Sequence, residues 1–68
     1  MLTGLKLRRI RLHLGLTLNE MRDIVGVKSR KTVMNWEKNK GSPSVNQVLA
    51  IMSVTGFTPE EFFQFLNE

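Results

Sequence analysis

Residues 16–43 read LTLNEMRDIVGVKSRKTVMNWEKNKGSP, and their punctuation decides the fold. Thr17 is followed three residues on by Glu20, a spacing in which hydroxyl and carboxylate reciprocally satisfy the free N–H groups of a helix start. Met21, Ile24 and Val25 recur at helical spacing, and Gly26 closes the segment. A helix is predicted over about Leu18 to Val25. Ser29 is the best cap for a second helix, running from about Arg30 to Lys38. On that helix Val33 and Trp36 share one face, while Arg30, Lys31, Met34 and Asn35 point elsewhere. Asn39 suits a left-handed stop, which Asn tolerates better than most residues.

The same punctuation continues outward. Before this stretch, Leu7, Ile10 and Leu14 predict a helix from about Gly4 to His13 with an inward stripe, ended by Gly15. After it, Pro43 precedes a second capping box, Ser44 with Gln47, and a helix from about Val45 to Val54 that stops at Gly56. Val45, Val48, Leu49 and Met52 are expected to face inward. A third box, Thr58 with Glu61, opens a helix from about Pro59 to Leu66, with Pro at its first position and acids that suit the dipole. Val48 to Val54 is the one strand-like run, and its flanking caps argue helix. The expectation is an all-α bundle of five short helices forming a single domain over residues 1–68.

Composition narrows the chemistry. The chain has 68 residues, no cysteine, one histidine (His13) and a formal net charge of +4. Disulfides, thiolate metal sites and imidazole zinc sites are excluded, and no metal or cofactor is expected. No apolar run is long enough for a bilayer, and charge arrives too early for a signal peptide, so a cytoplasmic protein is expected. The charge is unevenly placed. Between Ile24 and Thr58 the only acid is Glu37, against Lys28, Arg30, Lys31, Lys38 and Lys40. Glu60, Glu61 and Glu68 lie at the far end. Such asymmetry fits a surface facing a polyanion, and equally an ordinary solvated basic face.

Two short helices joined by a short turn define helix-turn-helix geometry. The second helix is then anchored by Val33 and Trp36 and shows polar residues outward. Arg and Lys donate well to guanine N7 and O6, and Asn can bond adenine bidentately. Lys38, Asn39 and Lys40 follow at the end suited to phosphate.

The ordered set Leu16-Thr17, Met21, Ile24-Val25-Gly26-Val27, Ser29 to Val33, Trp36 to Lys40 and Pro43-Ser44 resembles the Cro/repressor (xenobiotic-response-element) helix-turn-helix family. Arg11 and Gly15-Leu16-Thr17 resemble its first-helix ending, and Gly56 to Phe63 its approach to the fifth helix. The resemblance covers nearly the whole chain. It implies a lambda-repressor-like bundle in which helices 2 and 3 form the motif and residues about 29–38 enter the major groove. It places base readers at Ser29, Arg30, Lys31 and Asn35. It places phosphate contacts at Lys28, Lys38, Asn39 and Lys40, and a structural ion pair between Arg11 and Glu37. It further implies a DNA-binding regulator acting as a homodimer on a palindromic operator. The chain departs from the family pattern at three points. Leu18 stands where the family usually carries a phosphate-binding glutamine, leaving Thr17 and Asn19 for that contact. One extra residue lies between Gly26 and Glu37, so either the turn is longer or helix 3 starts at Lys28. Asn39 replaces the usual glycine stop.

The remaining residues have blander expectations. Trp36, Met21 and Met52 are expected in the core, and Met34 outward, either against a thymine methyl or exposed. His13, Arg8 and Arg9 are expected on a solvated surface. Phe62 and Leu66 should pack inward with Phe57. Phe65, with Phe63, should be left exposed as a dimer surface, with Leu5 and Leu12 near the same patch. No small-molecule ligand and no membrane partner are expected, since no second domain offers a sensor. The competing reading is a protein-interaction adaptor or antitoxin-type module that keeps the fold without strong DNA specificity. An enzyme is disfavoured, because paired carboxylates in a cleft and a Gly-rich phosphate loop are both lacking.

Overall fold

The computed structural model describes residues 2–68. Five helices follow in order: α1 (Gly4–His13), α2 (Leu18–Val25), α3 (Arg30–Glu37), α4 (Val45–Thr55) and α5 (Pro59–Leu66). No strand occurs among the described residues. Each helix opens on a hydroxyl cap: Thr3, Thr17, Ser29, Ser44 and Thr58 all accept a hydrogen bond from a first-turn N–H. At Thr17, Ser44 and Thr58 the bond is reciprocated by Glu20, Gln47 and Glu61. A good cap contributes about 1 kcal/mol, which matters for helices of two to three turns.

The stops are equally local. Gly26 adopts φ 76°, and Asn39 reaches φ 62° with a side chain attached. The extra residue before α3 is taken up by the turn, because Ser29 is the cap and Arg30 the first helical residue. The helix ends at Glu37, with Lys38 as its C-cap.

All five helices contribute to one core. Leu7 and Ile10 come from α1, Met21 and Val25 from α2, and Val33 and Trp36 from α3; Ile51 and Phe62 complete it from α4 and α5. α3 packs against both α1 and α2, and α4 lies on α2. The third helix is therefore held from two sides.

Two expectations about the core need correction. Val45 and Leu49 do not face inward: they are 76% and 50% exposed, and Ile51, fully buried, holds the central position. The inward stripe of α4 is Val48, Ile51 and Met52. The helix is apolar almost all round, so periodicity could not select its face. At the C-terminus, Phe65 is not left open. It is half-buried, with its ring 6.2 Å from that of Phe57 and the Arg9 guanidinium 5.7 Å above it. Arg9 thus covers an aromatic ring. Phe57 sits at the rim of this cluster, 37% exposed, and Phe63 remains outside at 67%.

Candidate nucleic-acid interface

The face of α3 turned from the core carries the polar residues. Val33 and Trp36 are buried, and this fixes the roll of the helix. Arg30 and Lys31 then stand exposed in its first turn, and Asn35 is half-buried one turn on. None of these three side chains has a partner among the described residues. Ser29 is partly committed: its Oγ accepts the Lys31 N–H at 3.1 Å, leaving the hydroxyl proton to donate.

The surrounding cations are also unpaired. Among the described residues only two ion pairs form, Arg11–Glu37 and Arg22–Asp23. Lys28, Lys38 and Lys40 are exposed and bridge to no acid. The single acid of the region, Glu37, is consumed internally. Arg11 Nε donates to its Oε2 at 2.7 Å and Nη2 to its Oε1 at 3.1 Å, while Nη1 donates to the Leu16 carbonyl. This bidentate bond raises the Arg11 pKa above its already high value, so the guanidinium is charged at any working pH. The pair is nearly enclosed, and removing one partner of such a pair costs on the order of 3 kcal/mol.

The start of α2 is less well equipped. Leu18 is half-buried and packs on the core. The Thr17 hydroxyl accepts the Glu20 N–H at 3.1 Å, and the Thr17 N–H is spent on Glu20 Oε1 at 2.9 Å. Asn19 is exposed and unpaired. Any backbone contact at this end therefore falls to Asn19 and the Thr17 hydroxyl proton.

Asn39 proves to have a task that the sequence did not reveal. Its Oδ1 accepts the Gly4 N–H at 2.9 Å, across 35 residues of chain. That N–H is one of the orphan donors at the start of α1. A glycine at position 39 could make the same turn and not this bond. Two further long-range ties were missed as well: Lys6 Nζ donates to the Leu66 carbonyl at the end of α5, and Arg9 covers Phe65. The only sequence signal for any of them was that Asn39 stood where glycine is usual.

An all-α bundle whose third helix and following turn present unpaired donors and cations is a DNA-binding domain of the helix-turn-helix class. A family model described as helix-turn-helix matches residues 7–62, and the chain belongs to that Cro/repressor-type family of DNA-binding domains. Comparison with curated proteins and with solved structures returned no match. Among the described residues no helix is long and apolar enough to cross a membrane.

Proposed function

We propose that the chain is a sequence-specific transcriptional regulator that reads double-stranded DNA with α3 in the major groove. The observation that carries this reading is the set of unpaired donors on α3, with the region's only acid locked to Arg11. Arg30, Lys31 and Asn35 read base edges, with Ser29 at the margin. Lys28, Lys38, Lys40 and Asn19 hold phosphates on either side, and Asn39 shapes the turn that carries two of them. Two copies bind half-sites about 34 Å apart on a near-palindrome. The exposed Leu12, Phe57 and Phe63 provide apolar surface for their contact.

One observation favours a protein-interaction module instead: Leu18, packed on the core, supplies no phosphate donor at the α2 start. Selecting bound duplexes from a random pool, with a salt titration of the winner, decides between them. The regulator should enrich a symmetric motif and lose affinity steeply as salt rises. Weak, flat binding to every duplex would overturn it in favour of the module.

A further inference from the structure

A pocket of about 430 Å³ opens where the end of α1 meets the end of α4 and the aromatic rings beside α5. Its lining runs from buried Ile10 through half-buried Leu14, Thr55 and Phe65 to exposed Arg9, Leu12, His13 and Phe57. The walls are thus mainly apolar. Small-molecule sites typically enclose about 300–1,000 Å³, so the space suits a ligand of one or two rings. Phe57 and Phe65 lie 6.2 Å apart with their planes 46° from parallel. Tilted and offset contacts of this kind are the ones aromatic rings prefer, and a further ring can join them.

The ionisable groups of the lining are Arg9 and His13, and no acid lines it. Glu60 and Glu61 stand further along, in the first turn of α5, and Glu61 is engaged with Thr58. The Arg9 guanidinium lies 5.7 Å from the Phe65 ring centre and joins neither of the two ion pairs among the described residues. A cation over a ring face is held by charge, so its N–H groups stay free to donate. Several acceptors in the lining are engaged. The Ile10 and Leu12 carbonyls take the Leu14 and Gly15 N–H groups, and the Thr55 hydroxyl donates to the Met52 carbonyl and accepts the Phe57 N–H. Helix ends add about half a unit of charge each, negative from α1 and α4 and positive from the start of α5. Their sum is smaller than the full charge on Arg9. An apolar pocket with a free guanidinium at its mouth suits a flat apolar molecule with an anionic end.

We propose that this pocket binds a small aromatic carboxylate, its ring against Phe57, Phe65 and Leu12 and its carboxylate on the Arg9 guanidinium and a His13 ring N–H. Imidazole offers at least one such donor in either protonation state. A sensor was not expected without a second domain, but here the lining comes from the bundle itself. The proposal goes beyond DNA binding and does not depend on it. Leu12 and Phe57 also belong to the surface proposed for contact between copies, so an occupied pocket opposes that contact.

The probe is 2-naphthoate, titrated into the chain without DNA and followed by the methyl resonances of Ile10, Leu12 and Leu14. The control is 2-naphthamide, the same body without the charge. Arg9→Gln and Arg9→Lys are run alongside, with thermal melts to confirm that each is folded. The expected result is saturable binding of naphthoate at about 1 mM or tighter, as suits a ligand of this size, with shifts concentrated at the pocket methyls. The amide should bind about tenfold more weakly. Arg9→Gln should bring naphthoate down to the level of the amide, and Arg9→Lys should keep most of the preference. Equal binding of acid and amide, a preference untouched by Arg9→Gln, or shifts spread equally over the exposed methyls of Val45 and Leu49 overturns the proposal, as does no binding. None of these outcomes touches the DNA-binding reading, which the duplex selection decides separately. Should Arg9→Gln unfold, the comparison of acid with amide on the unsubstituted chain still decides.

Discussion

Gly4 shows how closely α1 and α3 approach each other. A Cβ placed there would lie 2.5 Å from the Glu37 carbonyl oxygen and 2.6 Å from that of Trp36. Both are main-chain atoms at the end of α3, so neither can swing aside as a side chain would. Helix propensity alone would favour alanine at this position by up to about 1 kcal/mol. The clash works against that and is larger, because overpacking typically costs 1–3 kcal/mol. Gly4→Ala is therefore expected to destabilise the fold by about 2 kcal/mol, seen as a lower urea midpoint with an unchanged slope. A rise in the midpoint would mean that α1 can slide along α3 freely. The same close contact brings the Gly4 N–H to Asn39 Oδ1. Asn39 thus links the left-handed stop of α3 to the first turn of α1, and the Arg11–Glu37 pair makes a second tie between these helices.

At the scale of elements, the proposed function divides α3 into a reading end and a holding end. Its first turns present Arg30, Lys31 and Asn35, and its C-cap begins the basic run Lys38 to Lys40. Arg30→Ala or Asn35→Ala is expected to relax preference at one base pair, costing about 1–3 kcal/mol there. Lys40→Ala should instead weaken all duplexes alike and reduce the salt slope by about 1. Competition binding with single-base variants, repeated at several salt concentrations, separates the two; identical behaviour would erase the division. How much of this helix could be read beforehand depended on range. Its cap, its stop and its anchors Val33 and Trp36 are signalled within a few residues, and so were the capping boxes of α2, α4 and α5. The face of α4 was not legible, because Val45, Leu49 and Ile51 are all strongly apolar and only their burial in the folded chain distinguishes them. Nor were the Asn39–Gly4 and Arg9–Phe65 contacts, whose partners are far apart in the chain.

For the molecule as a whole, size constrains how two copies can share one operator. The Cα trace spans 30 Å along its longest axis and about 20 Å along the others. Half-sites one helical turn apart place equivalent points of two copies roughly 34 Å from each other. Side chains add a few ångströms at each end, so neighbouring copies can touch only with their long axes near the DNA direction. In the proposed dimer, the exposed Leu12, Phe57 and Phe63 supply the apolar surface for that contact. Such contact is necessarily phased. Inserting five base pairs between half-sites turns one copy about half a turn around the duplex, and inserting ten adds about 34 Å of separation. Cooperative binding, measured as the steepness of titration on two half-sites against one, should appear at the selected spacing and vanish with either insertion. Phe63→Ser should reduce it at the selected spacing and leave single half-site affinity unchanged. Cooperativity that survived a ten-base-pair insertion would require coupling through the DNA itself, and the apolar contact between copies would have to be abandoned.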